Sequence, residues 1–179
     1  FAEHLIRRLA IDCQSLWVSL ILGNVDDCLH SPEISEIGPV QVPPFKGWLD
    51  GDLDLFVASG GVEAPPGHLI HSDRLYMNNG SGYFNRSLAL IPGPAVSSGP
   101  ACVADFDRDG DLDLFVGGRV IPGQYPMAPG SRLLINDGKG TFIDKTSILA
   151  PTLKGAGMVT GAIWSDADNN GWLDLLLTR

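Results

Sequence analysis

Asp105-Phe106-Asp107-Arg108-Asp109-Gly110-Asp111-Leu112-Asp113 carries five carboxylates at alternate positions over nine residues, with Arg108 the single cation among them. Like charges packed this densely repel one another unless a cation neutralises them. Oxygen ligands alternating with spacers, and Gly110 at the sixth position for a sharp turn, suit a hard cation, Ca²⁺ above all. Asp105, Asp107, Asp109 and Asp113 would bind through side-chain oxygens, and Asp111 through its main-chain carbonyl. An EF-hand would need a bidentate Glu at the twelfth position, which is Val116 here, and helices on both sides. The apolar run Leu114-Phe115-Val116 directly after the loop is β-rich instead, so the stretch reads as a loop between two strands.

The same pattern returns in both directions along the chain. Aligning on the last Asp of each loop superposes Asp54, Asp113 and Asp174, at intervals of 59 and 61 residues. Downstream stands Asp166-Ala167-Asp168-Asn169-Asn170-Gly171-Trp172-Leu173-Asp174. There Asn170 substitutes an amide oxygen at the fifth position and Trp172 would offer only its carbonyl. With fewer charges, this loop is expected to bind metal more weakly than the middle one. Upstream, Lys46 and Trp48 occupy the first and third positions ahead of Asp50, Asp52 and Asp54. A Lys ammonium at a ligand position repels a cation, so this loop is expected to be empty. Either that repeat has degenerated, or the segment before Trp48 is not the natural partner of the strand after it.

A second motif travels with the first. Leu75-Tyr76-Met77-Asn78-Asn79-Gly80 and Leu133-Leu134-Ile135-Asn136-Asp137-Gly138 are hairpin turns after short strands, since Asn and Gly tolerate positive φ. One unit is therefore strand, Asp loop, strand, long connection, strand, Asn-Gly turn, strand. In the middle unit the strands are predicted near residues 101–104, 112–116, 132–135 and 141–144. Four antiparallel strands in about sixty residues make one blade of a β-propeller. The predicted fold is all-β, with about two blades and the start of a third in an incomplete ring. The expected divisions are an atypical leader at residues 1–46, helical then extended, and repeats at 47–98, 99–160 and, in part, 161–179.

The leader reads differently. Leu5, Ile6, Leu9, Cys13, Leu16, Trp17, Leu20 and Ile21 recur at helical steps. The apolar run 16–22 is too short to span a membrane. The chain opens on Phe1 and stops inside a predicted strand, which suggests a piece of a longer protein. A net charge of −9, with no basic stripe, argues against nucleic acid. The 22 Gly and 13 Pro suit a turn-rich β protein. None of Cys13, Cys28 and Cys102 forms a Cys-x-x-Cys pair, so zinc and redox sites are not expected. Cys13 and Cys28 leave a disulfide and two free thiols equally open, while Cys102 is expected to pack in a core strand. His68 and His71 lack partners at a metal-binding or catalytic spacing and are expected to be exposed loop residues. Nucleophile-elbow and phosphate-loop patterns are absent. Asn79-Gly80-Ser81 and Asn85-Arg86-Ser87 fit the glycosylation sequon, which matters only in a eukaryotic secretory pathway.

The Asp loop followed by Leu112-Asp113-Leu114-Phe115-Val116-Gly117-Gly118 resembles the FG-GAP, or VCBS, repeat of integrin-α-type β-propellers. Residues 117–126, the Leu-Leu-Ile-Asn-Asp-Gly stretch, and Gly157-Met158-Val159-Thr160 ahead of Trp164-Ser165-Asp166 resemble secreted bacterial VCBS-repeat proteins. Those are of the type that often carries an ASPIC/UnbV domain, as does the animal cartilage acidic protein. No ASPIC/UnbV segment is visible here. The resemblance covers residues 47–179. It implies structural Ca²⁺ in the Asp loops, an extracellular or cell-envelope location, and binding of a protein or carbohydrate ligand without catalysis. Residues 62–72 and 120–130 are the expected presenting loops, with Tyr125 and Arg119 as the contact residues to test. Repeats of this type also occur in or beside polysaccharide-degrading enzymes, which is the alternative function.

Overall fold

A computed structural model describes residues 54–78, 81, 83–87, 91–138 and 141–179. The leader, Cys13, Cys28, Lys46, Trp48, Asp50, Asp52 and the turn residues Asn79 and Gly80 lie outside the described residues. The described residues form three antiparallel sheets that do not close into a ring. The first contains β1 (Leu55–Val57), β2 (Arg74–Asn78) and β3 (Phe84–Arg86). The second contains β4 (Ser97–Ala104), β5 (Asp113–Val120), β6 (Arg132–Asn136) and β7 (Phe142–Asp144), in that order. β8 (Gly161–Ser165) and β9 (Asp174–Thr178) form the third. The second sheet is the four-stranded blade expected from the sequence, and β4 and β5 run several residues longer than predicted.

β5 explains why its sequence looks continuously apolar instead of alternating. Neighbouring side chains on a strand point to opposite faces, and both faces of this sheet are covered. Leu114 and Val116, with Ala101, Val103, Leu134 and Phe142, pack with Leu75 of the first sheet. Phe115, with Cys102 and Leu133, packs against Trp164, Leu175 and Leu177 of the third. Each large side chain so buried contributes about 1.5–3 kcal/mol. The Cys102 thiol is free, 1% exposed, and pushed up to about 12 by burial, which fits a packing role.

Between β7 and β8 the chain forms a short helix, α1 (Thr146–Leu149), and a 3₁₀ turn (Pro151–Gly155), neither of them signalled by the sequence pattern. Asp144 Oδ1 accepts from Thr146 N at 2.9 Å, and Thr146 Oγ1 accepts from Leu133 N at 2.8 Å. These bonds hold the helix against β6, while Leu153 fills the space between the second and third sheets. Among the described residues, no helix is long and apolar enough to cross a membrane.

Candidate metal centre

The Asp loops connect β4 to β5 and β8 to β9. The longer connections leave β1 and β5 at the opposite end of the sheets. The two loops share most of their internal bonding, but the third loop adds Asn170 N donating to Asp166 Oδ1 at 2.9 Å, the counterpart of Asp105 Oδ1 in the middle loop. Gly110 N donates to Asp105 Oδ2 at 3.2 Å, and Gly171 N donates to Asp166 Oδ2 at 2.8 Å. Asp109 N donates to Asp107 Oδ1, and Asn170 N to Asp168 Oδ1. Asp111 N donates to Asp109 Oδ1, and Trp172 N to Asn170 Oδ1. The turn needs positive φ at two positions in each copy: 66° at Arg108 and 98° at Gly110, then 59° at Asn169 and 87° at Gly171. Glycine and asparagine adopt that region readily, whereas an Arg in it is strained by about 1–2 kcal/mol.

This folding gathers oxygens. Asp105, Asp107 and Asp109 each place a carboxylate oxygen within 4.8 Å of the others, and Asp166, Asp168 and Asp174 do the same. These all-oxygen sets could hold a metal ion, and their chemistry fits a hard cation. One atom tests the fit further. Asp105 Oδ2 accepts the Gly110 amide, but Asp105 Oδ1 is buried without a hydrogen-bond partner. A buried carboxylate oxygen without a partner is costly, and a cation would satisfy it. Asn170 keeps its place in the third loop, although its Oδ1 already accepts the Trp172 amide.

Asp113 has a different setting. It is 0% exposed; Oδ2 accepts Phe106 N at 3.1 Å, and Oδ1 accepts Asn136 N at 3.0 Å. It is not in the cluster formed by Asp105, Asp107 and Asp109. Its place is behind them, tying the Asp loop to the Asn-Gly hairpin of the same sheet. Asp54 does the same in the first sheet, accepting Asn78 N at 2.9 Å. Sequence reasoning missed this bond. Its signal was the near-constant step from Asp to hairpin Asn, 24 residues in the first unit and 23 in the second. The Asp111 side chain lies against Gly138 of that hairpin, where any Cβ would collide with it. The Trp172 side chain is turned outward and 54% exposed.

Burial, only partly offset by the Asn136 and Phe106 amides, raises Asp113 to about 6 from 3.8. Desolvation and the Asp109 charge also raise Asp107. A carboxyl raised on folding lends stability that is complete below its unfolded pKa and is lost as pH rises through the folded value. In EDTA, the urea midpoint is therefore expected to rise as pH is lowered from about 7.5 to about 5, opposite to a salt-bridged Asp. Asp113→Asn should flatten that trend. A midpoint that falls over this range would contradict it.

Elsewhere, His71 departs from expectation. It is buried, with Nε2 2.8 Å from the Ala64 carbonyl, because the 3₁₀ turn Leu69–His71 folds it inward. His68 stays exposed and caps that turn, its Nδ1 accepting Ile70 N at 3.2 Å. In the long connection after β5, Tyr125 is 78% exposed, while Arg119 reaches back to donate to the Gly60 carbonyl.

No curated protein matches the chain. A family model does: residues 48–116 match the FG-GAP-like repeat, a span running from the first Asp loop through the first half of the strand after the second. The third loop lies outside that span but repeats most of the second loop's bonds. This match supports reading residues 48–116 as an FG-GAP-like repeat, a segment of the β-propeller type.

Proposed function

We propose that this chain is a calcium-stabilised, non-enzymatic propeller segment of an extracellular or cell-envelope protein, binding a protein or carbohydrate ligand. The observation that carries the calcium assignment is the buried, unpartnered Oδ1 of Asp105 beside the carboxylates of Asp107 and Asp109. The ions would be structural, fixing the rim where β4 meets β5 and β8 meets β9. In the middle loop Asp105, Asp107 and Asp109 would ligate through side chains and Asp111 through its carbonyl, with Asp113 bracing them from behind. In the third loop Asp166, Asp168, Asn170 and Asp174 would do so, with the Trp172 carbonyl. Millimolar calcium outside cells would fill such sites even at modest affinity. The ligand would meet residues 62–72 and 120–130, at the end of the sheets away from the metal, where loops vary without disturbing the core.

Equilibrium dialysis against calcium tests the assignment. Two ions per chain are expected, and one each in Asp107→Ala and Asp168→Ala. Uptake that neither substitution reduces would contradict it. Incubation with acidic polysaccharides, with and without EDTA, is expected to give no turnover.

A further inference from the structure

The two complete Asp loops touch through side chains that neither needs for a metal. The Arg108 guanidinium lies over the Trp172 ring, 3.8 Å from its centroid. Nearby, Phe106 of the middle loop meets Trp164, which leads into the third, with ring centroids 5.5 Å apart. Arg108 sits between Asp107 and Asp109 in a left-handed conformation with φ of 66°. Yet among the described residues it pairs with no carboxylate. Trp172 holds the seventh position of its own loop, and its amide donates to Asn170 at 2.8 Å. The contact therefore joins the ligand-bearing main chain of one loop to that of the next.

We infer that Arg108 and Trp172 couple the two loops, so that filling the middle loop strengthens calcium binding at the third. The inference rests on the calcium reading proposed above. Asp107 and Asp109 flank Arg108 and attract its guanidinium away from the Trp172 ring on which it rests. A cation among those carboxylates offsets that attraction and keeps the guanidinium on the neutral face of Trp172. That contact steadies the main chain presenting the Trp172 carbonyl and Asn170. By linkage the effect is reciprocal, and the worth of an exposed cation–π contact limits it to about two- to fivefold in affinity. Arg108 is thus a positioning residue for the third site. The pairing is particular to these two loops, because the corresponding positions, Asn169 in the third loop and Asp111 in the middle one, could not form it.

The test is a calcium titration of the full chain, following third-loop occupancy by tryptophan emission, with calorimetry for Trp172→Leu. Disabling the middle loop with Asp107→Ala is expected to weaken the third loop about two- to fivefold. In Arg108→Gln, and in Trp172→Leu, adding Asp107→Ala should leave third-loop affinity unchanged. A merely structural role for Arg108 would not erase that dependence. Equal third-loop affinities in wild type and Asp107→Ala would overturn the coupling while leaving two calcium sites standing. So would a dependence on Asp107 that persists in both contact variants. If no variant takes up calcium, the calcium reading and the coupling fall together.

Discussion

Asp73→Ala is expected to lower the unfolding free energy by about 3–5 kcal/mol, the usual cost of leaving a buried charge without its partner. Asp73 stands just before β2 and joins the first sheet to the second. Its Oδ1 accepts Ser59 N at 2.8 Å, and its Oδ2 accepts Ser98 Oγ at 2.9 Å and pairs with Arg132 on β6. The side chains are 8% exposed at Arg132 and 2% at Asp73. Arg132 also donates to the Pro92 carbonyl at 2.6 Å, so its guanidinium is held in place and cannot swing out to water. The second unit shows what the charge adds. There Ser131 Oγ accepts Gly118 N at 3.0 Å, the same local bond without a carboxylate. Asp73→Ser should therefore keep the Ser59 bond and still lose most of the stability. Asp73→Ser combined with Arg132→Met should recover much of it, because no uncompensated charge remains. Urea unfolding of the three variants measures this. A cost below about 1 kcal/mol for Asp73→Ala would mean the pair is effectively solvated.

Features repeating within one unit were legible in the sequence, and features arising between units were not. The alternation of five Asp with spacers fixed the loop, and Asn136-Asp137-Gly138 fixed the hairpin, because each depends on φ preferences over a few residues. The apolar run of β5 disclosed a strand buried on both faces without saying what covers them. Asp73–Arg132 and Arg108–Trp172 were hidden because their partners lie about one repeat apart, and no local pattern pairs them. α1 is four residues long, too short for any periodicity, and exists because Asp144 and Thr146 anchor it. His71 looked like a loop residue because burial there comes from a single 3₁₀ turn. Asp113 also braces the loop, its two oxygens accepting two amides, a role the loop pattern did not disclose.

Calcium is expected to have the other large effect. A metal that binds only the folded chain stabilises it by about 2.7 kcal/mol per site at a hundredfold excess over Kd. For a chain of this size that is about 5–10 °C per site. The gain from the middle loop should be reached at lower calcium, because Asp109 carries a charge where Asn170 carries none. The most direct measurement is a thermal melt of the full chain in calcium and in EDTA, beside Asp107→Ala and Asp168→Ala. The account predicts a higher midpoint in calcium, with each substitution removing part of the gain and the two together removing it. A cooperative melt whose midpoint is the same in calcium and in EDTA would contradict it and leave the Asp loops as polar turns.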